Sequence, residues 1–229
     1  MNEVKYEQIQ NRLGYWFNDI MLLKAALTHS SYANENKKSG LTSNERLEFL
    51  GDSVLGMTVA NLIYKENPSL SEGKMTKLRA ELVCERSLAS LAADLGLGEC
   101  LLLGRGEEKG GGRSRPSILA DAVEAVLAAI YLDGGFDPVN RLVSEHFSTL
   151  NAHSPPICSD YKTSLQEVTQ EKSGRILSYH TVNESGPDHM KCFTVEVRLN
   201  NVVIGHGTGR SKKEAEQIAA KAALESKLN

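Results

Sequence analysis

Three acidic residues recur within one short apolar stretch, and this pattern constrains the chain more than any other feature. Glu45, Glu48 and Asp52 are separated by three and four residues, so a helix places them on one face. Apolar positions between them fit a helix buried on one side; they are Leu47, Leu50, Val54, Leu55 and Met57. Like charges at this spacing repel, and a divalent metal held by oxygen ligands would compensate them. The helix dipole offers an alternative explanation for Glu45 and Glu48 but not for Asp52, so this helix alone leaves both interpretations open.

A second acidic pair lies in a later apolar run. Asp121 and Glu124 are three residues apart between Ile118 and Ile130, so they share a helical face. A salt bridge to Arg or Lys would explain either acid alone, because buried carboxylates are rarely unpaired. Two acidic pairs on two apolar helices favour a shared metal site.

The rest of the composition limits the cellular setting. No apolar run approaches the roughly 18 residues of a membrane span, and the N-terminus has no signal-peptide pattern. The four cysteines are far apart without Cys-x-x-Cys spacing, so we expect neither a zinc site nor a disulfide framework. These features predict a protein of the reducing cytoplasm, with no membrane partner and no organic cofactor.

Periodicity divides the chain into two domains. Residues 1–150 read as helices without a convincing strand, residues 151–158 as a linker rich in Pro and Ser, and residues 159–229 as α-β-β-β-α. The first part carries 16 basic and 20 acidic residues, and the last part carries 10 and 9. Any nucleic-acid binding must therefore depend on local clusters of basic residues.

Several local features give narrower expectations. Thr42, Ser43 or Asn44 can cap the first acidic helix, which Asn67-Pro68 ends, and Ser117 can cap the helix running to Leu132. The glycine-flanked segment 104–112 lacks the lysine-serine ending of a phosphate-binding loop, so a mobile surface loop is expected. His29 could be a ligand or base, but without a visible partner a hydrogen-bonded structural role is favoured.

Four segments carry a resemblance to a known family. The stretch Asn44-Glu45-Arg46-Leu47-Glu48-Phe49-Leu50-Gly51-Asp52 resembles the signature of the ribonuclease III family. Residues 27–35 and 116–125 resemble the segments around that family's first and second acidic groups. Residues 159–229 resemble its double-stranded-RNA-binding domain. The likeness covers nearly the whole chain and shows no departure at the acidic positions.

The resemblance implies a fold and an activity. The fold would be an all-α nuclease domain followed by a small α-β-β-β-α double-stranded-RNA-binding domain. The activity would be Mg²⁺-dependent endonucleolytic cleavage of double-stranded RNA by a homodimer, with Mn²⁺ as a substitute. Products would carry 5′-phosphate and 3′-hydroxyl ends with two-nucleotide 3′ overhangs, and substrates would include ribosomal and other structured RNA precursors.

The resemblance also assigns roles to individual residues. The metal ligands would be Glu48, Asp52, Asp121 and Glu124, with Asp52 and Glu124 catalytic. Glu45, Glu72 and Asn44 would lie near the scissile strand, and Phe49 would plug into the partner subunit, although a plain core phenylalanine is the alternative. The RNA-binding set would be Gln166, Glu167, His189, Arg210, Ser211, Lys212 and Lys213.

The two lysines of that set also have a physical argument. Lys212 and Lys213 fall in a first helical turn, where they oppose the helix dipole and free backbone N–H groups favour phosphate. Duplex RNA is read through its shape, 2′-hydroxyls and phosphates, which suits such contacts. A solvated turn is the alternative.

Two classes of function follow from these features. One is the endonuclease, and the other is a non-cleaving RNA-binding or ribosome-associated protein on the same scaffold. A protein that only binds RNA has no reason to carry four acids facing together, so the sequence favours the enzyme.

Overall fold

The computed structural model describes residues 3–147, 161–170, 174–187 and 191–226. The chain divides into two compact units, Met1–Cys158 and Ser159–Asn229. In the described residues, no helix is long and apolar enough to cross a membrane.

The first unit is helical, as the sequence predicts. Its helices are α1 Glu3–Leu13, α2 Ile20–Ala26, α3 Ser30–Glu35, α4 Glu45–Glu66, α5 Glu72–Leu82, α6 Glu85–Asp94, α7 Leu97–Cys100, α8 Arg105–Lys109, α9 Pro116–Gly134 and α10 Phe136–Phe147. Two single-turn 3₁₀ helices cover Lys37–Ser39 and Gly112–Ser114. Among the described residues of this unit, the β contact is one isolated bridge between Thr28 and Leu102.

Helix α9 is the centre of this unit. Almost every residue from Ile118 to Ile130 is buried, and Asp121 and Glu124 are the half-buried exceptions. A helix that is apolar on all sides needs neighbours on all sides, and α2, α4, α6 and α10 pack around it. The two acids therefore emerge from the best-packed element of the unit.

The second unit places two helices on one face of an antiparallel sheet. Its elements are α11 Tyr161–Gln170, β1 Leu177–Ser185, β2 Cys192–Leu199, β3 Val202–Gly209 and α12 Lys212–Ser226. The strand order is β1-β2-β3. Leu165 of α11 and Val195 and Val197 of β2 are fully buried with four alanines of α12. The predicted α-β-β-β-α order is confirmed for the described residues.

Strand β3 and helix α12 approach closely because both present small residues. A Cβ on Gly205 would lie 2.5 Å from the carbonyl oxygen of Ala219, and one on Gly207 would overlap the carbonyl oxygen of Ala215. The buried alanines of α12 supply the other half of this contact. Glycine and alanine thus set the spacing between helix and sheet.

Three local expectations about the first unit are wrong. Helix α9 begins at Pro116 with Arg115 as its N-cap, so Ser117 lies inside it; proline suits a first helical turn because it lacks an N–H. Helix α4 follows Asn44, whose side chain makes no capping bond, and the Ser43 hydroxyl donates instead to the Glu45 carboxylate at 2.8 Å.

The third wrong expectation concerns segment 104–112, which is helical at Arg105–Lys109 and is held in place. The Arg113 guanidinium donates to both oxygens of Glu108 at 2.6 and 2.7 Å and to the carbonyl oxygens of Gly98 and Leu101 at 2.9 Å. The Glu35 carboxylate accepts the backbone N–H of Arg105 at 3.0 Å.

The cysteine expectation also needs correction. Cys84 is disulfide-bonded, whereas Cys100 and Cys192 are free thiols. Separation along the chain does not report separation in space, which decides whether a disulfide forms.

Candidate metal centre and RNA-binding surface

Three of the four predicted metal ligands converge between two helices. Glu48 projects from α4, and Asp121 and Glu124 project from α9. One carboxylate oxygen from each can be chosen so that all three lie within 4.8 Å of one another. All three side chains are half-buried. This arrangement brings Glu48 to the α9 pair, whose first member, Asp121, lies 73 residues later in the sequence.

The convergence depends on a close approach of α4 to α9 at Gly51. A Cβ at this position would overlap the carbonyl oxygen of Glu124 and would lie 2.9 Å from its Cα. Gly51 is buried, one turn after Glu48 and immediately before Asp52. Only a residue without a side chain brings the acidic faces of both helices this close.

Burial and mutual repulsion make these carboxylates weak acids. The pKa of Glu124 is raised to about 7, first by burial and then by the charges of Asp52, Asp121 and Glu48. Burial also raises the pKa of Glu48, with Asp121 and Glu45 adding to it. The pKa of Asp121 is raised by burial as well. A cation at this point would reverse the penalty by favouring the ionised forms.

The remaining predicted acids lie around this cluster in different ways. Asp52 is exposed and stands outside the converging group, although its charge raises the pKa of Glu124. Glu45 is close enough to raise the pKa of Glu48. Glu72 begins α5, accepts a hydrogen bond from the Thr76 hydroxyl at 3.2 Å, and lines a groove with Tyr64 and Arg79 rather than joining the converging group.

Asn44 and His29 support the start of α4. Asn44 is 3% exposed, and its backbone N–H donates to the Thr28 carbonyl oxygen at 2.8 Å. The His29 Nδ1 atom lies 2.8 Å from the Ser31 hydroxyl and accepts the backbone N–H of Ser31 as the cap of α3. The hydrogen-bonded structural role predicted for His29 is confirmed.

The sequence does not connect His29 or Glu85 with Asp121. His29 lowers the pKa of Asp121 and Glu85, the first residue of α6, raises it, both by less than burial does. Gly51 beside Asp52 was visible as a glycine inside a helix, a recognised signal of close packing. Glu85 gives no comparable signal, because an acid in a first helical turn is ordinary.

The donor set suits a hard divalent cation. Carboxylate oxygens from Glu48, Asp121 and Glu124 are the ligands that Mg²⁺ and Mn²⁺ prefer, and Mg²⁺ usually keeps several waters beside a few carboxylates. The carboxylates can therefore hold a divalent cation.

The second unit presents a capped helix start with basic residues. The Ser211 hydroxyl accepts the backbone N–H of Glu214 at 3.2 Å, and the Glu214 carboxylate accepts the backbone N–H of Arg210 at 2.6 Å. These two bonds form a capping box whose return bond reaches Arg210 instead of Ser211. Lys213 is exposed in the first turn of α12.

Lys212 and the other predicted RNA contacts differ in their surroundings. The Lys212 ammonium lies 5.6 Å from the centre of the Phe193 ring and 4.0 Å from the Glu184 carboxylate. Gln166 is exposed on α11. The Glu167 side chain and His189 lie outside the described residues.

Phe49 is exposed rather than part of the core. Its exposed fraction is 81%, on the helix that also carries Glu48. Beside α4 lies a hollow of about 440 Å³, lined mainly by apolar groups that include Leu22, Leu47, Leu50 and Leu132. The plain core role for Phe49 is therefore wrong.

Comparisons with known proteins agree with both units. The sequence pattern of the Ribonuclease-III-like family matches residues 19–150, and that of the double-stranded RNA binding motif matches residues 161–227. Ribonuclease 3 of Pelotomaculum thermopropionicum is 50% identical over 222 residues, covering 96% of this chain and 92% of the relative. Ribonuclease 3 of Oceanobacillus iheyensis is 49% identical, covering 95% and 96%.

A solved structure resembles the first unit. The nuclease domain of ribonuclease III from Campylobacter jejuni superposes with a TM-score of 0.57 at 40% identity, covering 64% of this chain and 97% of that one. A second structure of that domain superposes with a TM-score of 0.57 at 41% identity, covering 62% of this chain and 98% of that one. That structure shows structural flexibility in a region involved in dimer formation.

A helical domain whose carboxylates can hold a cation, joined to a duplex-RNA-binding fold, defines a metal-dependent ribonuclease. The full-length relatives narrow that class. The chain belongs to the ribonuclease III family, and it is an endoribonuclease.

Proposed function

We propose that this protein cleaves double-stranded RNA by Mg²⁺-dependent hydrolysis, leaving 5′-phosphate and 3′-hydroxyl ends with two-nucleotide 3′ overhangs. Ribosomal and other structured RNA precursors are its expected substrates. The observation that carries the proposal is the convergence of Glu48, Asp121 and Glu124. The form of the ends and the natural substrates rest on family membership.

The cluster divides its roles according to exposure. Glu48, Asp121 and Glu124 would hold Mg²⁺ or Mn²⁺, since their oxygens already converge. The ion supplies Lewis-acid stabilisation of charge on the phosphodiester oxygens. Asp52 reaches solvent beside Glu124, so its carboxylate can accept a proton from an attacking water. Glu45 would add negative charge next to the metal ligand Glu48. Asn44 would hold the start of α4 in place through its backbone bond to Thr28.

Binding is assigned to the second unit, residues 159–229, separated from the nuclease unit by residues 151–158. Gln166, Glu167 and His189 would enter the minor grooves of the duplex, and Arg210, Ser211, Lys212 and Lys213 would contact phosphates. The first turn of a 15-residue helix offers unpaired N–H groups for those phosphates. RNA in the cytoplasm is the expected substrate pool, although the Cys84 disulfide is unusual for a reducing compartment.

We infer that the functional form is a homodimer formed through α4. Phe49, Met57 and Tyr64 are 81, 60 and 71% exposed, and their spacing of eight and seven residues places them on one stripe. Exposed apolar surface of this kind marks interaction sites. Phe49 of one copy fits the apolar character of the hollow beside α4 in the other, and Glu72 would approach the reacting strand across that interface.

The dimer is tested by sedimentation without RNA. The parent chain should sediment near twice its 25.0 kDa mass at micromolar concentration, and Phe49→Ala should shift it toward monomer. Ile176→Ala, which removes an exposed apolar group from the second unit, is the control. A monomeric parent chain would refute the assignment.

Cleavage is tested with Glu124→Gln, which keeps the shape of the side chain and removes its charge. We expect cleavage in Mg²⁺ to slow at least about a hundredfold, since even groups that only support a metal ligand contribute 10–100-fold. Binding of duplex RNA in Ca²⁺ should stay close to the parent value, because residues 159–229 are unchanged. Glu66→Gln, at the far end of α4, is the matched control.

Each outcome of this assay has one meaning. Parent chain that binds duplex RNA but never cuts it in Mg²⁺ would favour the non-cleaving alternative. Undiminished cleavage by Glu124→Gln would remove Glu124 from the metal site. End-group analysis of the parent's products tests the overhangs.

A further inference from the structure

The outer face of the sheet in the second unit carries a row of metal-binding side chains. His180 of β1 pairs with Glu196 of β2, and Glu196 pairs with His206 of β3. Paired residues on adjacent strands point to the same face. The flanking Val195 and Val197 are buried on the opposite face, where α11 and α12 pack, so all three side chains of the row lie away from the helices.

One carboxylate oxygen of Glu196 accepts hydrogen bonds from Arg198, and the other faces His206. The Arg198 guanidinium donates to Oε2 of Glu196 at 2.8 and 3.2 Å. The Oε1 atom lies 3.8 Å from Nδ1 of His206. Two ligands at about 2.0–2.2 Å from a tetrahedral ion lie roughly 3.4 Å apart, so this pair needs a shift of only a few tenths of an ångström.

His180 can close the site from the other side. Its Nε2 atom now lies 3.0 Å from the Ser178 hydroxyl on the same strand and face, an exposed bond that water replaces at little cost. Strands are about 4.8 Å apart, so the outer strands are separated by roughly 10 Å. Among the described residues, these three side chains do not bring their ligand atoms together as the nuclease acids do, so an ion would have to draw both imidazoles toward Glu196.

We propose that His180, Glu196 and His206 form a binding site for a transition-metal ion of the Zn²⁺ class, separate from the Mg²⁺ centre of the nuclease unit. The nitrogen ligands select Zn²⁺, Ni²⁺ or Cu²⁺ over Mg²⁺. The Arg198 guanidinium offsets the glutamate charge, which leaves little attraction for a hard cation that depends on carboxylates. An Arg-held ligand oxygen also matches the support that ligating carboxylates usually receive.

The site lies on the face of the sheet opposite α12, whose first turn carries Lys212 and Lys213. Zinc and duplex RNA should therefore bind together without competing. The inference does not depend on the proposed nuclease mechanism.

The test is a Zn²⁺ titration of the full chain in excess Mg²⁺, followed by NMR of the histidine rings. The chain has six histidines, and the ring signals of His180 and His206 should shift together on saturation. His206→Gln and Glu196→Gln should each weaken this binding at least tenfold. His146→Gln removes a histidine of the first unit and should leave the two shifts intact, with circular dichroism verifying that every variant folds.

Three results would overturn the proposal: no saturable shift of either ring, equal zinc affinity in the parent and His206→Gln, or displacement of the shifts by Mg²⁺. Loss of RNA cleavage in Glu124→Gln with zinc shifts retained would show that the two sites are independent. Failure of the zinc shifts in a chain that still cleaves RNA would refute this site alone.

Discussion

Replacing Gly51 with alanine should damage catalysis from a position that touches neither metal nor RNA. The new Cβ would lie 2.9 Å from the Cα of Glu124, whereas carbon atoms prefer about 3.5–4.0 Å. Relieving that contact separates α4 from α9 by at least about 0.6 Å, and the overlap with the Glu124 carbonyl oxygen requires more. Glu48 would then move away from Asp121 and Glu124.

The expected losses of stability and of cleavage rate in Gly51→Ala come from two different effects. Overpacking costs about 1–3 kcal/mol, and for a domain of this size each kcal/mol lowers the unfolding temperature by about 2–4 °C. Mg²⁺ demands near-ideal geometry at about 2.0–2.1 Å, and a misplacement of about 1 Å can cost roughly a hundredfold in rate. We therefore expect a larger loss in cleavage rate than in stability.

Gly56→Ala is the matched control, because it lies in the same helix and a Cβ there meets nothing within 4 Å. In a helix interior with space for the methyl group, this change should stabilise by about 0.8–1 kcal/mol. The assays are calorimetric unfolding, Mg²⁺-dependent single-turnover cleavage, and sedimentation to verify the same oligomeric state. The reasoning fails if Gly51→Ala melts and cleaves like Gly56→Ala.

Three further predictions concern pH, salt and packing. The pKa of Glu124 is about 7 in the folded protein, against an ordinary value of 4.5, so the folded state binds this proton more tightly and, without metal, stability rises as pH falls from 8 through 7. Thermal unfolding in EDTA should show this rise in the parent and a smaller rise in Glu124→Gln. Equal slopes of unfolding temperature against pH in the two proteins would contradict the prediction. The double variant Lys212→Ala/Lys213→Ala should reduce the slope of log affinity for duplex RNA against log salt concentration by up to about two, because fewer counterions are released. The control Lys221→Ala, later in α12, should leave this slope unchanged. An unchanged slope in the double variant would mean that Lys212 and Lys213 do not contact phosphate. Gly207→Ala should lower the unfolding temperature of the second unit, since the new Cβ would overlap α12. Gly174→Ala is the comparison variant, because it tests a positive φ of 83° without such an overlap. An unfolding temperature of Gly207→Ala no lower than that of the parent would refute the close packing.

The sequence predicted the elements with strong periodicity and missed those that depend on distant partners. Helix α4 ends at Glu66 as the Asn67-Pro68 pair predicts, and the three strands follow in the predicted α-β-β-β-α order. Helix α8 is short, and its order comes from Arg113 bonds to the carbonyl oxygens of Gly98 and Leu101. No local pattern reveals such bonds.

The sequence predicts only part of the acidic cluster, because the cluster also depends on contacts between distant segments. Spacing along each helix puts Glu48 near Asp52 and Asp121 near Glu124, but only the packing of α4 on α9 decides which acids meet. In the structure Glu48 joins the α9 pair, while Asp52 stays exposed. The contributions of His29 and Glu85 to Asp121 come from separate segments and need the fold to be seen.

The central position of α9 has a consequence for how the protein is made. During synthesis the chain emerges from its N-terminus, so α2, α4 and α6 exist before the helix that they pack around. At about 5–20 residues per second, Asp121 follows Asp52 by roughly 3–14 s. Until then, those helices lack the central helix against which they pack, and the acids of α4 have no α9 partners. We expect ribosome-bound chains that end before residue 116 to be digested readily by protease, so the nuclease becomes active only when most of its own translation is complete.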